Sequence, residues 1–257
     1  VAIVTDHDTM RWEYGFGPLR SLMARISGNL TEMPSISTYG TRNYVETFEA
    51  LDRKYPHVIV IHGAEAIPFY YWEGSIWNGN MALRNGNKHL LVIGLEQASD
   101  YEHLPSVGRG FMRRFSFISI LGLWPLMLII WGILLIRIKK SRVVGNLFRK
   151  RYRPYIALGI FCWLLGLLFL INNYPFSLPQ YDPYHGDQGI APYQDLIDYV
   201  NDKGGMVFWA HPEAYLPRKY DLPIPSWLQS FIPAQQVLVE TPPYHKDLLA
   251  AYNYTGF

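Results

Sequence analysis

Two stretches without a charged residue limit what this chain can fold into. Phe115 to Ile136 is 22 residues long, and Tyr155 to Tyr181 is also uncharged, with an apolar core from Tyr155 to Ile171. At 1.5 Å of rise per residue, the first is long enough to cross the ~30 Å hydrocarbon core of a bilayer, and the second is near the minimum. A buried hairpin is the soluble alternative, but charge-free runs of this length are rare in a soluble barrel. Pro125 is expected to kink the first span, which membrane helices tolerate. The connector, Arg137 to Arg153, carries eight Lys or Arg and no acid. Short basic loops stay on the cytoplasmic side, so both outer ends of the hairpin are expected on the other side. Arg109, Arg113 and Arg114 precede the first span, but the connector carries more cations, and Asn172 to Tyr181 carries none.

The net charge of +2 conceals a split. Between His103 and Tyr181 there are eleven Lys or Arg and no Asp or Glu, so the rest of the chain holds twelve basic residues against twenty-one acidic ones. A basic patch can signal nucleic acid. Here the cations flank apolar runs, which points to membrane anchoring and not to a nucleic-acid partner. The single cysteine, Cys162, excludes a disulfide framework within the chain. Its 257 residues suffice for one α/β barrel or two small domains. Val1 already lies inside a strand pattern, so the native N-terminus is expected upstream.

Outside the hairpin, a strand followed by ligand-type side chains recurs. Val1 to Val4 reads as a short buried strand running into Thr5-Asp6-His7-Asp8. His57 to Ile61 is a second strand, leading to Glu65. Lys88-His89 precedes a third, Leu90 to Leu95, and Met206 to Ala210 leads to His211-Pro212. Val237 to Val239 is a further strand, followed by Glu240. Carboxylate oxygens and imidazole nitrogens are ligands for Zn, Mn or Fe. Strand-end turns are also rich in Asp, and a lone His before an apolar strand is commonly structural, so residue type alone leaves both readings open.

Helices are expected around Pro18 to Ile26, over Asn43 to Lys54 (Tyr44, Val45, Phe48 and Leu51 on one face, Pro56 ending it), from Pro192 to Gly204-Gly205, and over His245 to Tyr254. The aromatic stretch Pro68 to Trp77 reads as a substrate lip or an interfacial membrane patch. His57, His62 and His103 read as surface or packing residues. His185, Asp187, Glu240 and His245 could act in a site, but no motif assigns them a role.

Four segments, VAIVTDHD from Val1, IHGAEA from Ile61, KHLLVIG from Lys88 and FWAHPEA from Phe208, resemble motifs of the PHP (polymerase and histidinol phosphatase) family, in that family's order. The matches lie in two blocks, residues 1–104 and 182–257. The resemblance implies an α/β fold, a PHP-like distorted β/α barrel incomplete at both ends and interrupted by a two-helix transmembrane hairpin. It divides the chain into residues 1–108, a PHP-like first part; 109–176, the hairpin with its basic loop; and 177–257, the second part. The two parts must assemble across the hairpin, as one domain carrying an insertion. It also implies that His7, Glu65, His89 and His211 are metal ligands, with Glu65 bridging and Asp6 orienting a ligand or binding directly. Two or three Zn, Mn or Fe ions are expected in the intact protein. The family's opening His-x-His and closing Asp-x-His motifs are not in this sequence.

The first functional expectation is a membrane-anchored, metal-dependent hydrolase, a phosphoesterase using metal-activated water. Its ligands would hold metal rather than act as acid or base, and its substrate would be a phosphoester on a lipid or at the cell surface. The PHP-like part is expected on the extracytoplasmic side. The alternative is a non-catalytic membrane sensor or scaffold retaining a degenerate PHP barrel. A transport role ranks last, because neither span carries a charged residue to line a path.

Overall fold

A computed structural model describes the protein at all residues except 108–112, 145–147, 216, 223–225 and 227–229. In chain order the strands are β1 (Ala2–His7), β2 (Val60–Ala66), β3 (Tyr71–Glu73), β4 (Ala82–Arg84), β5 (Leu90–Ile93), β6 (Arg113–Arg114), β7 (Lys140–Val144), β8 (Phe148–Tyr152), β9 (Leu178–Pro179), β10 (Met206–Trp209), β11 (Arg218–Asp221) and β12 (Gln236–Glu240). The helices are α1 (Arg20–Thr31), α2 (Ile36–Tyr39), α3 (Thr41–Lys54), α4 (Ala98–Glu102), α5 (Pro125–Arg137), α6 (Ile156–Asn173), α7 (Ala191–Asp202) and α8 (His245–Ala250). The fold is mixed α/β with two apolar helices. Among the described residues eight of the strands form two open four-stranded sheets and close no barrel.

The chain divides into two compact units. One comprises Val1–Trp12, Gly28–Arg113 and Pro179–Phe257. Its first sheet has the order β1-β2-β5-β10, with β1 and β2 parallel and the other pairs antiparallel. Segments from both sides of the apolar hairpin therefore share one sheet. Strand alternation sends Ala64, Ala66, Leu90, Val92, Val207 and Trp209 to one face, where all are buried. That face is covered by α3, whose Tyr44, Val45 and Phe48 are buried, and by α7, whose Tyr193, Leu196, Ile197 and Val200 are fully buried. Helix α7 starts with Pro192 in its first turn and stops where Gly204 takes a φ of 77°, in the left-handed region that glycine accepts without steric cost. The second sheet has the order β11-β12-β4-β3; Arg84 on β4 ties it together by pairing with Glu73 on β3 and Glu240 on β12.

Several expectations shift. The strand expected at His57 to Ile61 runs instead from Val60 to Ala66, because its ladder with β1 begins at Ala2↔Val60 and ends at His7↔Glu65. His57 to Ile59 belong to the turn after Pro56, so Glu65 lies within the strand and not beyond it. Strand β1, expected to be buried, is mostly exposed, with Ile3 at 53 %. It is the edge of its sheet, with a partner on one side alone among the described residues. The aromatic stretch is neither lip nor membrane patch as a whole: Phe69, Tyr70, Trp72 and Ile76 are core, and Trp77 is exposed. Large aromatic rings supply much of the apolar area that a small domain can bury. The C-terminal helix ends at Ala250, and the following residues bring Gly256 alongside Phe208 in a parallel bridge.

The second unit comprises Glu13–Ser27 and Arg114–Leu178. It holds two helical segments long and apolar enough to cross a membrane, Phe117–Arg137 (21 residues) and Ile156–Asn173 (18 residues). The first begins as a 3-10 helix, Phe117–Leu123, and becomes α-helical at Pro125. Pro125 thus starts α5 rather than kinking it; its missing N–H costs nothing in a first turn. Helices α5 and α6 pack antiparallel through glycines: a Cβ at Gly132 would lie 2.6 Å from the Gly159 carbonyl oxygen, and one at Gly166 would lie 2.9 Å from that of Pro125. The connector is an antiparallel hairpin, β7 with β8. Residues 13–27 pack on the far end of α6. The Asn172 side chain accepts from the Leu22 N–H at 2.9 Å and donates to the Pro18 carbonyl at 3.3 Å. The Arg25 guanidinium donates to the carbonyls of Ile171 and Tyr174 at 2.5 and 2.6 Å. Those carbonyls are left open where a helix ends, and a cation there also meets the negative end of its dipole.

Candidate metal centre

In a parallel ladder, paired residues point to the same side, so the pairing of His7 with Glu65 sets both on the face of the first sheet opposite α3 and α7. Strand β5 runs antiparallel to β2 and pairs Leu91 with Glu65. His89, two residues before Leu91, falls on that same face. His211 arrives from the end of β10, two residues past Trp209. The site is thus built from the ends of four neighbouring strands.

Glu65 is its centre. Its Oε1 is hydrogen-bonded with His89 Nδ1 and lies 3.7 Å from His211 Nε2, while Oε2 lies 3.8 Å from His7 Nδ1. The imidazoles meet edge to face, with ring centroids 5.3 Å apart for His7 and His89 and 5.4 Å apart for His89 and His211. His211 has a φ of 37°, a left-handed conformation that non-glycine residues seldom adopt. Such outliers gather at functional sites when the surrounding structure imposes them. Here the Ala214 N–H donates to the carbonyl of His211, and the Tyr244 N–H donates to that of Pro212.

Electrostatically the cluster favours an ionised Glu65 carboxylate and a neutral His7 imidazole. Burial pushes the Glu65 carboxyl up, but the hydrogen bond with His89 and the charges of His89, His7 and His211 outweigh it and hold the group below its ordinary value. Burial lowers the His7 imidazole, against the pull of Glu65, and the neighbouring His89 lowers it further. A neutral imidazole beside an ionised carboxylate is the protonation state a metal ligand needs.

The donor set fits a divalent ion. His7, Glu65 and His89 each offer a ligand atom within 4.8 Å of the others. In tetrahedral coordination, ligand bonds of about 2.1 Å set such atoms about 3.4 Å apart, so movements of up to about 0.7 Å per side chain close the set. Two further atoms support the fit. His7 Nδ1 and His89 Nε2 are buried and have no hydrogen-bond partner among the described residues, a costly state for a polar atom unless something binds it.

Of the five residues expected at the site, His7, Glu65, His89 and His211 come together and Asp6 does not. Alternation along β1 turns Asp6 to the opposite face, where its ladder partner is the fully buried Ala64 and its neighbour is Tyr44. Asp8, which no motif singled out, is fully buried and accepts the Ser106 hydroxyl at 2.5 Å. Its N–H donates to the Glu65 carbonyl, and its own carbonyl accepts from Ser37, so it anchors the end of β1. The clue in the sequence was only its place beside His7. His62 packs against Phe48, Tyr44 and Tyr101, and its Nδ1 is hydrogen-bonded with the Tyr101 hydroxyl at 2.7 Å. Glu240 belongs to the Arg84 pairing, and His185 lies 3.1 Å from Asp182; neither joins the cluster. No protein-family model matches the chain, and neither a curated protein nor a solved structure matches it.

Proposed function

We propose that this protein is a membrane-anchored, metal-dependent hydrolase, a phosphoesterase of PHP type. The observation that carries the reading is Glu65 at the centre of three imidazoles delivered by separate strand ends. A divalent ion, Zn, Mn or Fe, supplies a lowered water pKa and a Lewis acid for phosphate oxygens when bound. The chain's part is to hold it: His7, His89 and His211 offer ring nitrogens, and the two oxygens of Glu65 face different imidazoles, as a bridging carboxylate requires. The PHP resemblance of the four motifs supports the same roles and a PHP-like barrel in the intact protein. The eight-cation connector favours a cytoplasmic loop, which puts the metal centre on the extracytoplasmic side, facing a lipid or cell-surface phosphoester.

A second reading, a sensor or scaffold without catalysis, is favoured by one contact: His89 and Glu65 already satisfy each other. Elemental analysis of the detergent-purified protein and of Glu65→Gln separates the two, paired with hydrolysis of p-nitrophenyl phosphate under added Mn or Zn. At least one transition metal per chain and metal-dependent turnover, both lost in Glu65→Gln, are expected. Wild-type protein that takes up no metal on reconstitution refutes the hydrolase and leaves the scaffold.

A further inference from the structure

The connector between the two apolar helices carries a basic antiparallel strand pair, a surface in its own right. Strands β7 and β8 pair from Lys140↔Tyr152 to Val144↔Phe148. Arg137, Lys139, Lys140, Arg142, Arg151 and Arg153 are exposed. The unit that contains the hairpin has eleven Lys or Arg and a single acid, Glu13. A two-stranded hairpin is marginal in water. Lys140 Nζ donates to the Tyr155 hydroxyl at 3.1 Å and lies 5.1 Å from the ring centroid. Tyr155 stands at the first turn of α6, where an aromatic residue marks the bilayer interface. Exposed cations on a marginal strand pair at the ends of two apolar helices are stabilised by counter-charge, and the nearest source is the headgroup layer.

We infer that the β7–β8 hairpin binds anionic phospholipid headgroups and that its order depends on them. The inference rests on the helices crossing a bilayer and is independent of the metal centre. Each cation near an anionic surface contributes about a fivefold gain in binding. Several acting together are expected to slow amide exchange within the hairpin at least tenfold.

The test reconstitutes the full chain in nanodiscs of phosphatidylcholine alone or with about one third phosphatidylglycerol, and follows amide hydrogen exchange of residues 139–152. Slowed exchange in the anionic discs only, reversed by salt, is the expected result. Arg137→Gln/Arg142→Gln/Arg151→Gln/Arg153→Gln is expected to abolish the difference, and the same four positions as Lys are expected to keep it. Equal exchange in both discs, or failure of the chain to enter either, overturns the inference. Stronger protection by a duplex oligonucleotide in detergent than by the anionic lipid overturns it in favour of a nucleic-acid ligand. The metal content of the same samples reports separately on the hydrolase reading.

Discussion

Gly159→Ala probes the packing of the apolar hairpin most directly. A Cβ at this position would lie 2.7 Å from the Gly132 carbonyl oxygen, 2.7 Å from Ile136 Cγ1 and 3.0 Å from the Ile136 nitrogen. Two of these atoms are backbone and cannot rotate away. Restoring an ordinary contact of 3.4 Å requires α5 and α6 to separate locally by about 0.7 Å. Overpacking of this kind costs about 1–3 kcal/mol, and the better helix propensity of alanine returns at most about 1 kcal/mol. The net is a loss of about 0–2 kcal/mol, and contact with two immovable backbone atoms sets it toward the upper end. The assay is SDS-titrated unfolding of the detergent-purified protein followed by circular dichroism, with Gly122→Ala as control. At Gly122 a Cβ would meet Phe176 at 3.6 Å and Asn173 at 3.9 Å, both ordinary distances, so the control is expected to be neutral. If Gly159→Ala matches the wild type, or the control loses as much, the close glycine contact does not hold the hairpin together.

Three further outcomes are expected. Burial lowers the His62 imidazole from its ordinary 6.5; a folded value below the unfolded one means the stability is whole above about pH 6.5 and is lost as pH falls beneath it. His62→Phe should flatten part of that loss in thermal melts between pH 7 and 5, and an unchanged slope refutes the assignment. Asp8→Ala, which removes the acceptor of the Ser106 hydroxyl, should cost about 1–3 kcal/mol in denaturant unfolding; a loss under about 0.5 kcal/mol argues against an anchoring role. Arg25→Gln, which uncaps the end of α6, should cost roughly 1 kcal/mol in the same SDS titration; no change means water satisfies those carbonyls equally well.

The apolar helices were legible because a bilayer imposes a simple rule, enough consecutive uncharged residues to span it, and Phe117–Arg137 and Ile156–Asn173 obey it. Helix α7 was legible for a related reason: Pro192 and Gly204 mark its ends and the buried residues recur at helical spacing. All five candidate ligands were named from local strand-and-His patterns and the motif resemblance, and four of them come together in the structure. Other features were set by pairing between segments distant in sequence. The ladder with β1 moved β2 downstream, drew Glu65 into the strand and matched it to His7. Period-two alternation then turned His7 toward the cluster and Asp6 away from it, a choice that residue type does not encode because both side chains suit a metal equally well. Burial of Phe69, Tyr70 and Trp72 was likewise hidden, since an aromatic run reads the same in a core as at an interface. The attachment of residues 13–27 to the end of α6 depends on Arg25 and Asn172, more than 140 positions apart. Local chemistry fixes which residues can do something; non-local pairing, which depends on where the chain returns to itself, decides which of them meet.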